Sequence, residues 1–335
     1  MKIAIAILNW NGKELLEKFL PSVIRYSREA DIYVIDNAST DTSVAYLRKN
    51  FPEVKIIVNK ENGGYAKGYN DSVNFIDADL ICLLNSDIEV TQDWLHPILL
   101  KYKSEKKLSV VQPKILDYKM KDYFEYAGAA GGYIDRLGYP YCKGRIFETI
   151  EKDKGQYDQD SSIFWASGAC FFIRKNDFIE VGGFDEDFFA HQEEIDLCWR
   201  LQNKGLEIQY VANSTVYHVG GATLATQNPI KTYLNFRNNL YLMVKNGPSF
   251  GYIILIFIRM VLDGLAGLKF LFAGEAKHTF AIIKAHLSFY KSFPKFVKKR
   301  TIISQKIKYY QTNSVVWQYY ARGRKVFTRL KGSNL

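Results

Sequence analysis

Asp79-Leu80-Ile81-Cys82-Leu83-Leu84-Asn85-Ser86-Asp87-Ile88-Glu89 contains the strongest fold signal in the chain. Its short apolar run is typical of a strand that is buried on both faces of a parallel sheet. The run stops at Asn85-Ser86-Asp87, which predicts that Asp87 lies at the carboxyl edge of the sheet, where open α/β folds bind ligands. A carboxylate there can hold a divalent cation, and the cation can hold a diphosphate. The alternative is that Asp87 only caps a helix that begins near Thr91.

Apolar strands alternate with amphipathic helices before this stretch. The pattern predicts strands at residues 3–8, 32–35 and 54–58, and helices at residues 13–26, 42–49 and 65–75. This alternation is typical of βαβ units, so we predict an α/β fold with a mostly parallel central sheet flanked by helices. The first apolar run is too short for a signal peptide and is followed at once by polar residues. We therefore expect a cytoplasmic protein.

Three predicted strands end in polar clusters, which are Asn9-Trp10-Asn11, Asp36-Asn37-Ala38-Ser39 and Asn85-Ser86-Asp87. Turn residues are common at strand ends, but three clusters on one sheet edge favour a shared ligand site. The chain has neither GxGxxG after the first strand nor GxxxxGK[ST]. The pattern therefore predicts a nucleotide held by side chains and a metal ion, with Asp36 accepting from a base N–H or a ribose hydroxyl. Gly63-Gly64 would let the backbone approach a ribose or phosphate closely.

The second half of the chain offers further candidate residues. Residues 117–160 are rich in Gly, Tyr and charge, which predicts an insertion or flexible loop over the site. Residues 163–173 resemble a strand whose small central residues either admit a sugar ring or pack tightly. Glu193-Glu194-Ile195-Asp196 opens a predicted helix, where acids are also favoured by the helix dipole alone. A lone histidine such as His218 is usually structural, but the adjacent Gly220-Gly221 leaves space for it to bind a metal.

The C-terminal part of the chain is basic. Residues 245–335 carry 17 Lys and Arg but only two acids, a net charge of +15, whereas the whole chain carries +10. Residues 252–272 are apolar but contain Arg259, Asp263 and Lys269, which predicts an amphipathic helix in a membrane interface rather than a membrane span. The lysines of residues 291–308 favour attraction to anionic lipid. Packing on the catalytic domain is the alternative, and no recognised module supports nucleic-acid binding. The four cysteines form no CxxC pair and are expected to be reduced.

Together these clusters resemble the family-2 inverting glycosyltransferases with the GT-A fold, particularly the bacterial rhamnosyltransferase-like branch. The resemblance covers about residues 1–245. The matching segments are Ile7-Leu8-Asn9-Trp10-Asn11-Gly12, Val34-Ile35-Asp36-Asn37-Ala38-Ser39-Thr40-Asp41, Asn62-Gly63-Gly64-Tyr65-Ala66-Lys67-Gly68-Tyr69-Asn70, Leu83-Leu84-Asn85-Ser86-Asp87, Glu193-Glu194-Ile195-Asp196-Leu197-Cys198-Trp199-Arg200 and His218-Val219-Gly220-Gly221.

The resemblance implies particular roles for the matching residues. Asp36 and Asn37 would bind the nucleotide, while Asp87 of a DXD-like motif and His218 would hold Mg²⁺ or Mn²⁺. The other expected substrate contacts are Asn9, Trp10, Asn11, Ser39, Asn62, Gly64, Tyr65, Asn70, Asn85, Ser86, Trp165 and Gly168.

Two positions depart from the family pattern. Asn85 occupies the first DXD position, which leaves the metal with fewer protein charges. The family's Glu-Asp pair, whose Asp is usually the base, reads Glu193-Glu194 in this sequence. We therefore expect Glu194 to be the catalytic base, with Glu193 beside it and Asp196 as the fallback.

The implied reaction is transfer of a sugar, with inversion, from a nucleotide-diphosphate donor that is dTDP-rhamnose-like or a UDP-sugar. The acceptor would be a hydroxyl of a glycan or lipid-linked molecule in bacterial surface polysaccharide synthesis. We expect a catalytic domain at residues 1–245, with a nucleotide-binding half (1–115) and an acceptor half (116–245). Residues 246–335 would form a helical extension that is peripheral on the inner face of the plasma membrane.

Two other functions are alternatives to this one. The Glu193-Glu194 departure leaves open a catalytically silent module that only binds a nucleotide sugar. A nucleotidyltransferase would need a Gly-rich loop bearing Arg or Lys after the first strand, and Asn9-Trp10-Asn11-Gly12 is not such a loop.

Overall fold

A mixed sheet of nine strands organises the computed structural model, which describes residues 1–220, 228–248, 251–300 and 307–330. The strands are β1 (Ile3–Asn9), β2 (Asp31–Asp36), β3 (Lys55–Val58), β4 (Leu80–Asn85), β5 (Ile88–Val90), β6 (Leu108–Asp117), β7 (Gly132–Ile134), β8 (Pro140–Cys142), β9 (Arg145–Ile146), β10 (Thr149–Ile150), β11 (Ser161–Ser162), β12 (Cys170–Arg174) and β13 (Glu207–His218). The α-helices are α1 (Lys13–Tyr26), α2 (Ser43–Asn50), α3 (Gly64–Val73), α4 (Leu95–Ser104), α5 (Lys175–Glu180), α6 (Glu193–Asn203), α7 (Pro229–Asn246), α8 (Tyr252–Phe272) and α9 (Ala276–Lys298).

The large sheet has the strand order β11-β13-β6-β12-β4-β1-β2-β3, and β5 pairs with β13. The four strands from β4 to β3 are parallel, which confirms the predicted βαβ units. In contrast, β12 runs antiparallel between β4 and β6. The register pairs Asn9 with Asp36 and Leu8 with Asn85. The three polar strand ends therefore lie side by side on one edge, as the sequence predicts.

The central strands are buried on both faces because helices cover both. Leu80, Cys82 and Leu84 of β4 pack in one hydrophobic cluster, together with Leu16 and Leu20 of α1. Ile81 and Leu83 pack in the other cluster, together with Tyr69 of α3. This alternation follows from the two-residue period of a strand, and it explains why the apolar run is uninterrupted.

Two of the alternatives that the sequence left open are wrong. No helix begins near Thr91, because Asp87 leads directly into β5 and α4 starts only at Leu95. Residues 117–160 do not form a flexible loop, because β7 to β10 pair into a small antiparallel sheet. Tyr133, Tyr141 and Phe124 are buried in this region, and their rings supply the core that a loop would lack.

One predicted strand is shorter in the structure than in the sequence analysis. The strand expected over residues 163–173 is confined to β12, because residues 163–166 turn to meet Gly132 of the small sheet. After α6, β13 continues to His218, beyond a bulge in its pairing with β6.

The C-terminal helices pack on the catalytic body rather than standing apart from it. Helix α7 packs against α9, and residues 307–330 return to the small sheet, where the Val315 N–H donates to Asp135 at 2.8 Å. Tyr309 stacks on Trp199 of α6. The predicted domain boundary at residue 245 stays a prediction. In the part of the chain that the structure describes, no helix is both long and apolar enough to cross a membrane. All four cysteines are buried and free.

Candidate active site

Asp36 joins the first two polar strand ends. The Asn9 carboxamide donates to Asp36 Oδ1 at 3.0 Å and to Ser39 Oγ at 3.2 Å. The Ser39 N–H donates to Asp36 Oδ2 at 2.9 Å. Since both carboxylate oxygens are engaged and Asp36 is buried, the residue holds the loop after β2 in one shape. Its remaining lone pairs are available to a ligand that reaches this edge.

Asn37 joins the second and third strand ends. Its amide donates to Asn62 Oδ1 at 2.9 Å and to the Gly64 carbonyl at 3.0 Å, while Asn59 donates to Asn37 Oδ1 at 3.0 Å. Gly64 has φ +76°, and a Cβ on it would lie 3.1 Å from the Phe189 carbonyl. The close approach explains the glycine at the first position of α3. Asn59 was not singled out in the sequence, where its position after β3 was the available signal.

The loop after β1 reaches the loop after β4. Asn11 Oδ1 accepts from the Thr40 N–H at 2.7 Å, and 55% of the Trp10 side chain is exposed beside it. Asn9 Oδ1 is buried without a partner, and a Cβ on Gly12 would lie 2.6 Å from it and 3.9 Å from Ser86 Oγ. Because Gly12 has no side chain, the loops after β1 and β4 can approach each other closely, and Ser86 lies near the end of β1.

Asp87 and His218 meet because β13 pairs antiparallel with β5, which places His218 opposite Ile88. His218 Nε2 lies 3.1 Å from Asp87 Oδ1 and 3.5 Å from Asn85 Nδ2. On the other side of the ring, Nδ1 lies 3.3 Å from Glu125 Oε1. Burial lowers the pKa of His218, but the carboxylates of Asp87 and Glu125 outweigh burial and raise this pKa to about 10. Glu125 was missed in the sequence, because it lies inside the segment that was expected to be a loop.

A divalent cation fits the residues at this corner. An imidazole nitrogen and a carboxylate are ligands that Mn²⁺ accepts, and Mg²⁺ commonly binds one or two carboxylates together with substrate phosphates. Asp87 and His218 would hold the ion, and Glu125 would orient the imidazole ring from behind. Within the described ranges, no cluster of three or more His, Cys, Asp or Glu side chains is arranged to hold a metal. An ion here would therefore take its remaining ligands from water and diphosphate.

Two cations that the sequence analysis did not single out stand next to this corner. The Arg145 guanidinium lies 4.0 Å from the centre of the Tyr126 ring, and Lys231 Nζ lies 5.5 Å from it. Arg145 also donates to the Tyr126 carbonyl at 2.7 Å. Since Tyr126 follows Glu125, these cations add positive charge near the end where a diphosphate would lie.

Glu193 and Glu194 begin α6, directly after a strained turn. Phe189, His191 and Gln192 have φ values of +64°, +69° and +72°, which non-glycine residues adopt rarely. Glu193 is buried, and its Oε2 has no partner. Burial raises the pKa of Glu194 to about 7, although backbone N–H groups oppose the shift. A half-buried carboxyl group with this pKa suits a general base at neutral pH.

Helix α7 holds this turn in place. The Asn238 amide donates to the carbonyls of Phe188 at 2.9 Å, Ala190 at 2.8 Å and His191 at 2.7 Å. Gln192 donates to the Asn235 carbonyl at 3.0 Å. These contacts stabilise backbone angles that would otherwise relax.

Asp196 occupies a different environment from Glu194. Its Oδ2 accepts from Arg200 at 2.8 Å and from Lys245 at 2.9 Å, and its Oδ1 accepts from Asn246 at 2.7 Å. Asp196 is fully buried. A carboxylate whose two oxygens are both paired in the interior belongs to a structural ion pair, which argues against Asp196 as the fallback base.

Other expected substrate contacts are only partly brought to the site. Tyr65 donates to the Gly168 carbonyl at 2.8 Å. Burial is the main cause of the raised pKa of Tyr65, and the nearby Tyr69, Glu193 and Glu194 raise it further, so Tyr65 and Gly168 lie near the proposed base. Asn70 instead joins α3 to Phe184, whose carbonyl accepts from it at 2.9 Å. Trp165 is buried under Gly132 and donates to the Tyr133 carbonyl at 2.9 Å, which corrects its expected contact with a sugar. Gly221 lies outside the described residues.

The parallel strand edge, the buried Asp87–His218 pair and the acidic start of α6 define a nucleotide-diphospho-sugar transferase of the GT-A class. The sequence profile of glycosyl transferase family 2 matches residues 4–182, so the chain belongs to that family.

Comparisons with individual proteins agree with this assignment. The chain is 26% identical over 222 residues to the N-acetylglucosaminyl-diphospho-decaprenol L-rhamnosyltransferase of Mycobacterium tuberculosis, covering 61% of this chain and 71% of that protein. Its fold is similar to that of residues 1–349 of TarS from S. aureus in complex with UDP-GlcNAc, with a TM-score of 0.56 and 14% identity. The match covers 97% of this chain and 88% of the TarS chain. The fold is also similar to that of GalNAc-T7 with UDP, GalNAc and Mn²⁺, with a TM-score of 0.56 and 16% identity. The match covers 72% of this chain and 47% of the GalNAc-T7 chain.

Proposed function

We propose that this glycosyltransferase acts with inversion. It would move a sugar from a nucleotide-diphosphate donor, dTDP-rhamnose-like or a UDP-sugar, to a hydroxyl of a glycan or lipid-linked acceptor in bacterial surface polysaccharide synthesis. The observation that carries the proposal is the Asp87–His218 pair on the same sheet edge as Asp36, together with the turn before Glu194, whose Phe189 carbonyl approaches Gly64 at that edge. The rhamnosyltransferase named above supports the choice of donor and acceptor classes.

The residues divide the reaction between them. Asp36 and Asn37 bind the nucleotide. Asp87 and His218 would hold Mg²⁺ or Mn²⁺, which when bound would supply positive charge to the departing diphosphate. The acceptor oxygen bonds to the anomeric carbon while the bond from that carbon to the diphosphate oxygen breaks. Glu194 takes the proton of the acceptor hydroxyl, and the bonding electron pair leaves with the diphosphate. No covalent enzyme intermediate is required.

The Glu194→Gln variant tests the proposal. The change preserves size but removes the base, so we expect turnover to fall by about 10²–10⁴-fold while nucleotide binding persists. The assay is release of nucleoside diphosphate from a panel of UDP-, dTDP- and GDP-sugars, with and without Mn²⁺, in the presence of membrane extract. The matched control is Glu180→Gln on α5, whose exposed carboxylate forms an ion pair with Lys204 and should tolerate the change.

Two results would contradict the proposal. Full activity in Glu194→Gln would remove Glu194 from the role of base. A wild-type protein that binds nucleotide but releases no diphosphate from any donor would instead support the catalytically silent module, which the Glu193-Glu194 departure left open. In that case Asp36→Ala should still abolish nucleotide binding, because the binding edge is separate from the base.

A further inference from the structure

Helices α8 and α9 form an antiparallel pair whose outer surface is apolar. Nine large apolar side chains of α8 and five of α9 are exposed, among them Ile254 (64%), Phe257 (67%) and Phe280 (69%). We call this surface the hairpin face. Soluble proteins rarely leave such a continuous apolar surface in water, so it marks an interaction site.

The polarity of α8 is inverted relative to a helix that faces water. Its inward side carries Arg259 and Asp263, which are buried and joined by a hydrogen bond of 2.7 Å from Arg259 Nε to Asp263 Oδ1. His286 of α9 lies 3.3 Å from the same carboxylate, and the Arg259 guanidinium lies 3.5 Å from the centre of the Tyr139 ring. Arg259 and Asp263, two of the three charges that weigh against a membrane span in the sequence, therefore face the protein, whereas the third, Lys269, is exposed. Charged groups that turn inward beneath an apolar exterior are typical of helices in contact with lipid.

A row of lysines borders the hairpin face. Lys277, Lys284 and Lys291 are exposed on α9 at intervals of seven residues, which places them on one side of the helix. The exposed apolar residues Phe280, Ile283 and Leu287 follow an adjacent stripe. An apolar stripe beside a lysine row is the arrangement by which helices lie in the surface of an anionic bilayer.

We propose that the hairpin face inserts into the headgroup region of a bilayer that contains anionic lipid, with α8 and α9 lying along the membrane surface. A second copy of the chain fits less well, because a two-fold pairing would bring both lysine rows to one interface and leave them unneutralised. Bilayer phosphates would neutralise the row instead.

This orientation places the active site near the membrane. His278, at the start of α9, contacts Thr232 of α7 at 2.7 Å, and the neighbouring Lys231 lies on Tyr126 beside Glu125. A lipid-linked acceptor would then reach the Asp87–His218 pair from the side of the bilayer. This last point rests on the proposed function, whereas membrane binding itself does not.

Sedimentation with vesicles tests the proposal on the full chain. We expect binding to vesicles of phosphatidylcholine with about one-third phosphatidylglycerol, and a loss of apparent affinity of about tenfold or more in Ile254→Gln/Phe257→Gln/Leu265→Gln. The matched control Val58→Gln/Phe75→Gln/Leu100→Gln removes exposed apolar side chains from the catalytic body and should bind like wild type. Thermal unfolding checks that each variant is folded.

The lysine row is tested separately. Lys277→Gln/Lys284→Gln/Lys291→Gln should weaken binding to the anionic vesicles by about tenfold or more, whereas Lys49→Gln/Lys103→Gln/Lys106→Gln should not. Lys295 and Lys299 are left unchanged because they pair with Asp187.

A depth probe distinguishes insertion from surface attraction. Since all four cysteines are buried, a Phe257→Cys variant offers an accessible thiol for an environment-sensitive fluorophore. We expect brominated lipids to quench this probe but not the same probe on Phe75→Cys. Absence of vesicle binding would overturn the proposal, as would a lipid-free dimer, measured by light scattering, that the Ile254→Gln/Phe257→Gln/Leu265→Gln variant dissociates. Donor turnover is measured independently, so failure here leaves the proposed reaction standing.

Discussion

Glu194 carries the proton transfer in the proposed reaction, and its pKa of about 7 gives the reaction a pH dependence. A general base works only when it is deprotonated, and burial keeps the Glu194 carboxyl group protonated to a higher pH than usual. We therefore expect log kcat/KM to rise with a slope near one below about pH 7 and to level off above it. The measurement is donor turnover between about pH 5.5 and 8.5 at saturating Mn²⁺.

The residual activity of Glu194→Gln supplies the control for this profile. Its pH profile should lack the rising limb, because glutamine does not titrate. Persistence of the same limb in the variant would assign it to another group. A flat wild-type profile would show that Glu194 is ionised throughout this range and would remove its raised pKa from the mechanism.

Helix α7 acts on the site through backbone contacts rather than through substrate. The Asn238 amide has two hydrogens for three carbonyl acceptors, all in the turn that precedes Glu193, and Asn238 is fully buried. Asn238→Ala would remove the side-chain donor from the Ala190 and His191 carbonyls, whereas the Phe188 carbonyl would still accept from the Ala190 N–H and from Arg237. We expect a loss of about 2–3 kcal/mol in the free energy of unfolding and a lower kcat, because the turn would no longer hold its left-handed backbone angles.

Urea unfolding and donor turnover check this prediction. The control is Asn50→Ala, which removes a similar hydrogen bond from an exposed asparagine to the Tyr46 carbonyl and should cost less than about 0.5 kcal/mol. Wild-type stability and kcat in Asn238→Ala would show that the turn is held by other contacts.

The C-terminal helices are tied to the catalytic body by buried ion pairs as well as by apolar packing. Asp185 accepts from Lys245 of α7 at 2.7 Å and from Lys299, just beyond α9, at 2.5 Å. Burial raises the pKa of Asp185, but these two ammonium groups outweigh burial and lower this pKa to about 2. Lys299 belongs to the basic segment that the sequence analysis assigned to attraction to anionic lipid. Its charge is instead paired with Asp185 within the protein.

This lowered pKa makes a prediction about acid stability. A carboxyl group whose pKa is lower in the folded state stabilises the fold above its unfolded pKa, and the contribution disappears as the pH falls toward 2. We expect Asp185→Asn to lose about 2 kcal/mol of unfolding free energy at pH 7 and to approach wild type near pH 2–3. Urea unfolding at pH 7, 5 and 3 measures the difference.

The exposed pair of Asp77 and Lys2 provides the control for acid stability. Asp77→Asn should change the unfolding free energy by less than about 1 kcal/mol at any of these pH values, because water screens an exposed ion pair. An equal loss for Asp185→Asn at pH 7 and pH 3 would show that the effect is steric and does not depend on the charge of Asp185.

The parallel strands and their polar ends were readable in the sequence because the signals are local. A short apolar run that stops at a polar cluster determines both the strand and the edge at which it ends, as in β1, β2 and β4. Helix α1 was predicted with its observed bounds, and so was α8. The strand-end residues Asp36 and Asp87 could therefore be found without knowledge of the tertiary structure.

Other features were decided only by long-range packing. Glu125 approaches His218 because residues 117–160 fold into a small sheet, and no local pattern distinguishes that sheet from a loop. Asp196 and Glu194 look alike in the sequence, but Lys245 and Arg200 form ion pairs with Asp196 and not with Glu194, which makes Asp196 structural. The inward direction of Arg259 and Asp263 likewise depends on which side of α8 meets the body. Local sequence determined where strands and helices end, whereas partners distant in the chain decided which charges are buried, because burial depends on contacts that local sequence does not specify.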